Sequence, residues 1–133
     1  MFPIRHGRYG NPDSNRFIHK IQRESGTINE FPLSTVEFGG NNIPIVSGGY
    51  LRFFPYAFTK FGIEKINNVE KKPAVIAFHP WELDVHHPMP NVSRLKRIRH
   101  KININTTEKK LQRLLRDFKF GTVQQVLDKN TFN

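Results

Sequence analysis

Short runs of apolar residues divide the first half of the chain into extended pieces. Residues 17–22 alternate between apolar and polar side chains, Ser25 and Gly26 favour a turn, and residues 27–36 are rich in strand formers. This pattern predicts a hairpin or a pair of strands. Beyond the glycines and asparagines at 39–42, a short apolar run at 43–46 predicts one more extended piece.

Helical spacing of apolar residues begins in the middle of the chain. From Arg52 to about Asn67 the apolar positions lie three to five residues apart, which predicts an amphipathic helix with Pro55 near its first turn. Residues 93–100 predict a strongly basic short helix or turn, with Leu95 and Ile98 on one side.

The C-terminal region predicts one long helix and two short elements. Thr106 or Thr107 is the expected cap of a helix that carries its apolar residues at positions 111, 114, 115 and 118. Lysines and arginines at 109, 110, 113 and 116 fit a solvated face of that helix. Residues 120–123 predict a further strand, and residues 124–127 a short helical end.

An unbroken apolar run, Pro73 to Phe78, leads directly into His79. A run of this length, with proline at both ends, is typical of a strand buried on both faces. In α/β folds the carboxyl end of such a strand is where polar side chains and ligands collect. We therefore expect a site at His79, beside a cluster of further ionisable residues: Glu82, Asp84, His86 and His87.

The order of elements indicates an α/β fold with parallel neighbouring strands. At 133 residues the chain is one domain or part of one, without internal repeats. Residues 1–16 have no period and read as an irregular arm, and residues 17–128 contain the strands and helices. Because an ordered domain seldom starts with such an arm, we expect the chain to begin in mid-fold and to form a single partial domain.

Composition narrows the classes of function without choosing one. The chain has no cysteine, so disulfides, thiolate metal sites and cysteine nucleophiles are excluded. Its net charge of +10 favours an acidic partner such as a nucleic acid or an anionic glycan. It contains no transmembrane or secretion segment, which makes the cytoplasm the default location.

Several motifs resemble, in order and spacing, the C-terminal part of bacterial polysaccharide deacetylases. This family belongs to the carbohydrate esterase superfamily that includes chitooligosaccharide deacetylases, and the nearest group is associated with exopolysaccharide loci and exosortase systems. The similarity covers nearly the whole chain. The segments that carry it are Glu30 to Val36, Gly48 to Tyr56, Phe78 to Asp84, Ser93 with Arg94, Arg99 with His100, and Leu111 to Phe120.

The resemblance implies the C-terminal portion of a deformed (β/α) barrel, incomplete in this chain. It also implies hydrolysis of N-acetyl groups on the amino sugars of a polysaccharide, with a divalent, zinc-like metal as cofactor. In that family the metal ligands and the general base lie in the N-terminal half, within an Asp-Asp pair and an H-x-x-x-H motif. This chain has neither motif, so no metal ligand is expected in it.

Five residues match or neighbour the motifs of the family. His79 matches the general-acid histidine, whose imidazole can hold a proton near neutral pH and give it to the leaving amine. Trp81 is either a wall of the sugar groove or a core residue. Weaker candidates for substrate binding are Tyr50, Arg52 and Glu30. The sequence favours Arg52 as a surface residue of a first helical turn over a substrate-binding one, and Glu30 also fits a solvated strand end.

Two alternatives remain open at this point. The cluster from His79 to His87 contains sound zinc ligands, but prolines at 80, 88 and 90 favour an extended loop that separates them. The basic residues from Arg94 to Lys101 suit a non-enzymatic module that binds an anionic polymer. Nucleic acid is disfavoured as the partner, because no helix-turn-helix, zinc-finger or RNA-recognition signature accompanies this charge.

The expected partners follow from the preferred interpretation. They are an N-acetylated polysaccharide as substrate and a separately encoded N-terminal half that completes the enzyme. A half barrel exposes sheet edges and apolar surface, so self-association is also expected. Alone, the chain should be inactive or nearly so, because general acid catalysis by itself raises the reaction rate only about a hundred-fold to ten-thousand-fold.

Overall fold

A computed structural model describes residues 2–5, 10–47, 49–88 and 93–129 of the chain. The strands are β1 (His19–Arg23), β2 (Gly26–Glu30), β3 (Thr35–Phe38) and β4 (Asn41–Pro44). The helices are α1 (Gly49–Phe53), α2 (Tyr56–Glu64), α3 (Arg94–Lys101), α4 (Ile104–Asp117) and α5 (Val123–Lys129). A π-helical turn, Lys65–Val69, extends α2, and a 3-10 turn spans Pro80–Leu83.

The predicted hairpin is present, with shorter strands than the apolar pattern indicated. β1 pairs antiparallel with β2, from His19 opposite Glu30 to Arg23 opposite Gly26. Gly26 has a φ of +136°, which a residue with a side chain adopts only under strain, so a glycine suits this tight connection. β2 ends at Glu30 because Pro32 follows, and β3 starts anew at Thr35.

β3 and β4 form a second antiparallel pair, with Thr35 opposite Pro44 and Phe38 opposite Asn41. The fold is thus mixed α/β with two small antiparallel sheets and several helices. The predicted parallel order is wrong for these sheets. In the part of the chain described here, the parallel pairing is the isolated bridge between Ser47 and Ala77.

Pro55 divides the helix that the pattern predicted from Arg52 onward. The backbone of Pro55 is extended, with φ −57° and ψ 145°, and its nitrogen has no hydrogen to donate. The chain therefore forms α1, which ends at Phe53, and then starts α2 at Tyr56. The amphipathic character is retained, since α2 buries Tyr56, Thr59, Gly62 and Ile63.

The core lies where α2 and α4 meet the end of β4. Its buried apolar residues are Val36, Ile45, Val46, Leu51, Tyr56, Ile63, Ile66 and Leu114. Gly62 allows α2 to pack closely against Ile45, because a Cβ built at this position would lie 2.8 Å from Ile45 Cδ1. Burial of these side chains is the main source of the stability that fixes α1 and the segment after it.

Residues 73–78 are extended, but they are not the doubly buried strand that we predicted. Val75 pairs with Ser34, whose N–H donates to Val75 O at 3.1 Å, and Ala77 N–H donates to Val46 O at 3.4 Å. The side chains from Pro73 to Phe78 are only half-buried.

The C-terminal third is helical. α3 confirms the predicted basic helix, and α5 confirms the helical end. The predicted cap of α4 is wrong: the helix starts two residues before Thr106, after Asn103 in a left-handed conformation, and the hydroxyls of Thr106 and Thr107 donate to Asn103 O. Residues 119–122 form no strand.

The described parts of the N-terminal arm, residues 2–5 and 10–16, contain no helix or strand, and His6, Arg8 and Tyr9 lie outside the described residues. Within the described helices, no stretch is both long and apolar enough to cross a bilayer.

Candidate functional site

His79 lies where the extended segment 73–78 turns into the 3-10 helix. Its backbone is extended, with φ −100° and ψ 135°, and the residue is exposed. The N–H of His79 donates to Glu82 Oε2 at 3.1 Å, and the N–H of Glu82 donates to the carbonyl of His79 at 2.9 Å. These two bonds fix the backbone of His79 while its ring stays accessible.

Glu82 and Arg52 form a buried pair of opposite charges beneath this turn. Glu82 is 1% exposed and Arg52 is 4% exposed, and Arg52 Nη2 lies 3.9 Å from Glu82 Oε1. Burial lowers the pKa of Arg52, and the Glu82 carboxylate opposes that shift. The interpretation of Arg52 as a surface residue is therefore wrong, and the pair links α1 to the segment that carries His79.

Further contacts hold the Arg52 side chain on both sides. Its Nη1 donates to the backbone carbonyl of His100 in α3, and its guanidinium carbon lies 5.2 Å from the centre of the Trp81 ring. Among the described residues, its buried Nε has no hydrogen-bond partner. Arg52 thus connects α1, the 3-10 turn and α3 through one planar group.

Lys110 of α4 secures the end of α1. Its ammonium donates to the carbonyls of Leu51 at 2.9 Å, Arg52 at 3.0 Å and Phe54 at 2.9 Å. Burial lowers the pKa of Lys110. Of the four basic residues predicted to form a solvated face, Lys109, Arg113 and Arg116 are exposed, but Lys110 is half-buried and structural.

Four rings form a cluster beside His79, which we call the ring cluster: His79, Trp81, His87 and His100. Trp81 stacks on His100 with centroids 4.1 Å apart and planes at 23°, and on His79 at 5.8 Å and 11°. His87 lies 5.9 Å from both Trp81 and His100. Burial lowers the pKa of His100, and the nearby charges of Arg52 and His87 lower it further.

The two remaining candidate residues have other surroundings. Tyr50, on α1, stacks on Phe54 with centroids 6.2 Å apart and meets the edge of the Phe2 ring. Glu30, at the end of β2, has its Oε2 3.4 Å from His19 Nε2. The structure therefore brings Arg52, Trp81 and His79 together. Tyr50 instead packs against the rings of Phe54 and Phe2, and Glu30 lies on the hairpin.

The loop after the 3-10 turn satisfies its polar groups locally. Asp84 Oδ1 accepts the N–H of His86 at 2.9 Å, and the carbonyl of Asp84 accepts the N–H of His87 at 3.2 Å. Residues 89–92 lie outside the description. In the part that is described, no three histidine or carboxylate side chains converge in a way that could hold a metal ion.

α3 presents a second surface with a chemistry of its own. Arg94, Arg97 and Lys101 are exposed on it. Leu95 and Ile98 are 70% and 62% exposed, so the apolar side of this helix is not packed into the core. The helix thus offers cations and apolar groups together to solvent.

Sequence reasoning considered Glu82 as a possible metal ligand and did not predict its buried contact with Arg52 or the ring contacts of His100. A signal for Glu82 was present, since an acidic residue three positions after the residue that starts a helical turn commonly accepts that residue's N–H. No local signal links His100 to Trp81 or to Arg52, which lies 48 positions away in the sequence. That contact depends on how α3 packs.

Comparisons with known proteins identify the family of the chain. No curated protein and no solved structure gives a significant match. Residues 1–128 match the family described as "Domain of unknown function (DUF3473)". Because this match spans nearly the whole chain, the protein belongs to the DUF3473 family.

Proposed function

We propose that this chain is the C-terminal part of a metal-dependent polysaccharide deacetylase, and that His79 is its general acid. The observation that carries the proposal is the exposed imidazole of His79 at the end of an extended segment, with its backbone fixed by Glu82. The sequence resemblance to the deacetylases supports the same residue. Family membership itself is neutral, since its description names no activity.

The chemistry assigned to His79 is a single proton transfer. After water has added to the carbonyl of the N-acetyl group, the protonated imidazole gives its proton to the amide nitrogen. The carbon–nitrogen bond then breaks, which releases the free amine of the sugar and acetate. A neutral amine is a far better leaving group than an amide anion, so this transfer lowers the barrier.

The divalent metal of the proposed enzyme would polarise the acetyl carbonyl and lower the pKa of water. The described residues of this chain do not fit such an ion, because no set of ligands converges in them. We therefore assign the metal ligands to a metal-binding half, meaning a polypeptide that contains the Asp-Asp and H-x-x-x-H motifs. The proposed complete fold is a deformed (β/α) barrel formed by the two halves.

The ring cluster supplies the proposed sugar-binding surface. Trp81 is partly exposed and contacts the rings of His79 and His100. Aromatic side chains pack well against the apolar faces of sugar rings. A sugar placed over this cluster would bring its N-acetyl group near the His79 ring. The guanidinium carbon of Arg52 lies over the Trp81 ring and the side chain is buried, so we propose that it supports the ring cluster rather than binding substrate.

Co-expression with the polypeptide encoded immediately upstream tests the proposal. We expect the pair to release acetate from an N-acetylglucosamine oligomer and each half alone to be inactive. His79→Ala in the pair should lower the rate about a hundred-fold to ten-thousand-fold. His86→Ala is the matched control, since His86 is an exposed histidine outside the ring cluster. An active pair whose rate is unchanged by His79→Ala would contradict the assignment.

One observation favours a second candidate function, a basic module that holds an anionic polymer. The three exposed cations of α3, Arg94, Arg97 and Lys101, lie on one short helix of a chain with net charge +10. Fluorescence anisotropy with a labelled single-stranded oligonucleotide tests this candidate. If this second candidate is correct, we expect the chain to bind the oligonucleotide tightly, with an affinity that falls steeply as salt is added. Replacement of the three cations by glutamine should abolish this binding.

A further inference from the structure

His100 and the turn that follows α3 attach this helix to the rest of the protein. The ring of His100, a half-buried residue, stacks on Trp81, and the His100 carbonyl accepts a hydrogen bond from Arg52 Nη1. After the helix, the side-chain amide of Asn103 donates to Arg52 O at 3.1 Å. Because each residue of a helix advances by about 100°, these contacts direct the side of α3 opposite His100 toward solvent.

The side of α3 that faces solvent, which we call the outer face, combines two apolar side chains with a row of cations. Leu95 and Ile98, the apolar pair, are exposed and lie three positions apart, so they are neighbours on the helix surface. Spacings of three and four residues likewise align the exposed side chains of Arg94, Arg97 and Lys101. The row of cations therefore runs beside the apolar pair.

The sequence around α3 is strongly biased toward positive charge. Five of the eight residues of the helix are lysine or arginine. The sequence from residue 85 to residue 107 contains no aspartate or glutamate. Ile98 and Ile102 also line, with Arg97 and Lys101, a shallow apolar depression of about 380 Å³. The outer face thus offers apolar surface and concentrated positive charge at the same place.

We propose that the outer face of α3 docks on the surface of an anionic lipid bilayer. At such a surface, guanidinium and ammonium groups bind lipid phosphates, and aliphatic side chains enter the boundary between headgroups and acyl chains. The row of cations and the apolar pair fit these two layers. The docking goes beyond the deacetylase activity proposed above and requires neither the metal nor the metal-binding half.

The apolar pair favours a bilayer over a nucleic acid or another anionic polymer. Polymer phosphates would engage the cations of α3 but leave Leu95 and Ile98 in water, since single-stranded nucleic acids stack their bases on aromatic side chains. Exposed aliphatic side chains contribute to binding only where they are removed from water. A bilayer therefore uses the whole outer face, whereas a polymer uses only its cations.

Flotation with lipid vesicles measures the docking. We expect the chain to bind vesicles made of equal parts of phosphatidylcholine and phosphatidylglycerol about a hundred-fold more tightly than vesicles of phosphatidylcholine alone. The reason is that each cation near an anionic surface strengthens binding about fivefold. Arg94→Gln, Arg97→Gln and Lys101→Gln, combined in one variant, should remove this preference. Equal binding of the unmodified chain to the two kinds of vesicle would overturn the proposal without any variant.

A second triple variant controls for net charge. Lys20→Gln, Lys109→Gln and Lys119→Gln remove the same charge from exposed lysines outside α3. We expect this variant to lose less than about tenfold in affinity for the anionic vesicles, because its lysines lie away from the docked surface. Equal losses for the two triple variants would show that net charge alone attracts the chain, and would overturn the proposal.

Leu95→Gln combined with Ile98→Gln tests entry of the apolar pair into the bilayer. We expect this variant to bind the anionic vesicles about tenfold or more weakly, because amide side chains do not enter the acyl boundary. Ile28→Gln combined with Val69→Gln is the matched control, since both residues are exposed and apolar and lie outside α3. It should change binding less than about threefold. Substitution at exposed positions leaves the fold intact, which circular dichroism checks.

Two other results would identify a different occupant. Displacement of the vesicles by a single-stranded oligonucleotide, with no effect of Leu95→Gln and Ile98→Gln on either ligand, would identify an anionic polymer and overturn the proposal. A dimer in the absence of lipid that the same variant dissociates, measured by light scattering, would identify a second copy and overturn it as well. Acetate release is assayed without vesicles, so the docking and the deacetylase activity can fail independently.

Discussion

The carboxylate of Glu82 joins the backbone of His79 to the guanidinium of Arg52. One oxygen accepts the N–H of His79 at 3.1 Å, and the other lies 3.9 Å from Arg52 Nη2. Both charged side chains are withdrawn from water, whereas the imidazole that they support is exposed. Loss of either charge would leave the other buried without its partner.

A double-mutant cycle should reveal this coupling. Glu82→Leu is expected to destabilise the fold by about 3–5 kcal/mol, because it leaves the Arg52 charge buried and uncompensated. Arg52→Met combined with Glu82→Leu should cost clearly less than the sum of the two single changes. Urea denaturation followed by circular dichroism measures all four proteins. Additive costs would show that the two side chains do not interact.

His79→Ala should leave the stability of the isolated chain within about 0.5 kcal/mol of the original, because the residue is exposed and its ring stacks on Trp81 at the surface with centroids 5.8 Å apart. Thermal unfolding measures this effect, and Trp81→Ala is the contrasting variant. Because the Trp81 ring stacks on His100 and covers Arg52, its removal should cost more. A large loss for His79→Ala would indicate a structural imidazole.

The hydroxyl of Tyr56 should lose its proton at a higher pH than that of an ordinary tyrosine. Burial, followed by the hydrogen bond that its hydroxyl donates to Asp117 at 2.9 Å, raises its pKa to about 12. Its folded pKa therefore exceeds the unfolded value of about 10, so its contribution to stability is complete below that pH and disappears as the pH rises toward 12. The near-ultraviolet absorbance of phenolate should show a step at high pH that Tyr56→Phe abolishes.

The carboxyl group of Asp117 should take up its proton at a lower pH than an ordinary aspartate. The hydrogen bond from Tyr56, then that from Lys60, lowers the pKa of its carboxyl. Its contribution to stability is therefore present above the unfolded pKa and is lost as the pH falls through the lowered value. Carboxyl-carbon NMR of Tyr56→Phe should show the Asp117 pKa moving upward, and an unchanged value would contradict this role of the hydroxyl.

Gly62→Ala should destabilise the core by about 1–2 kcal/mol, since overpacking outweighs the gain in helix propensity. The added Cβ would lie 2.8 Å from Ile45 Cδ1 and 2.9 Å from Ile45 Cγ2. Thermal unfolding should show that Ile45→Val, which removes the nearer methyl group, rescues part of the loss. No rescue in the double variant would show that the strain lies elsewhere.

Local patterns predicted the elements that depend on local chemistry. The hairpin follows from alternation plus the turn at Gly26, and α3 and α5 follow from short helical patterns. The predicted strand at 120–123 did not form, because a strand needs a neighbour and no pattern reports one. The same reason explains segment 73–78, whose apolar run was recognised but whose pairing is partial.

The candidate site was predictable only in part. His79, Trp81 and Arg52 were selected from the sequence and do lie together, although the role of each remains a proposal. The buried state of Arg52 was missed, because its partner Glu82 is thirty positions away and its contact with His100 depends on the packing of α3. Pairing of charges across elements leaves no period in the sequence.

The interruption of the chain at Pro55 has an effect beyond the bend itself. A helix that continued past Phe53 would have used the carbonyls of Leu51, Arg52 and Phe54 for its own next turn. The proline leaves these three oxygens as a ready cradle for a cation, and the Lys110 ammonium occupies it. The backbone at Arg52 is therefore held by a lysine 58 residues away, together with the Asn103 amide that donates to Arg52 O at 3.1 Å, and acetylation of that lysine would remove one of these two anchors.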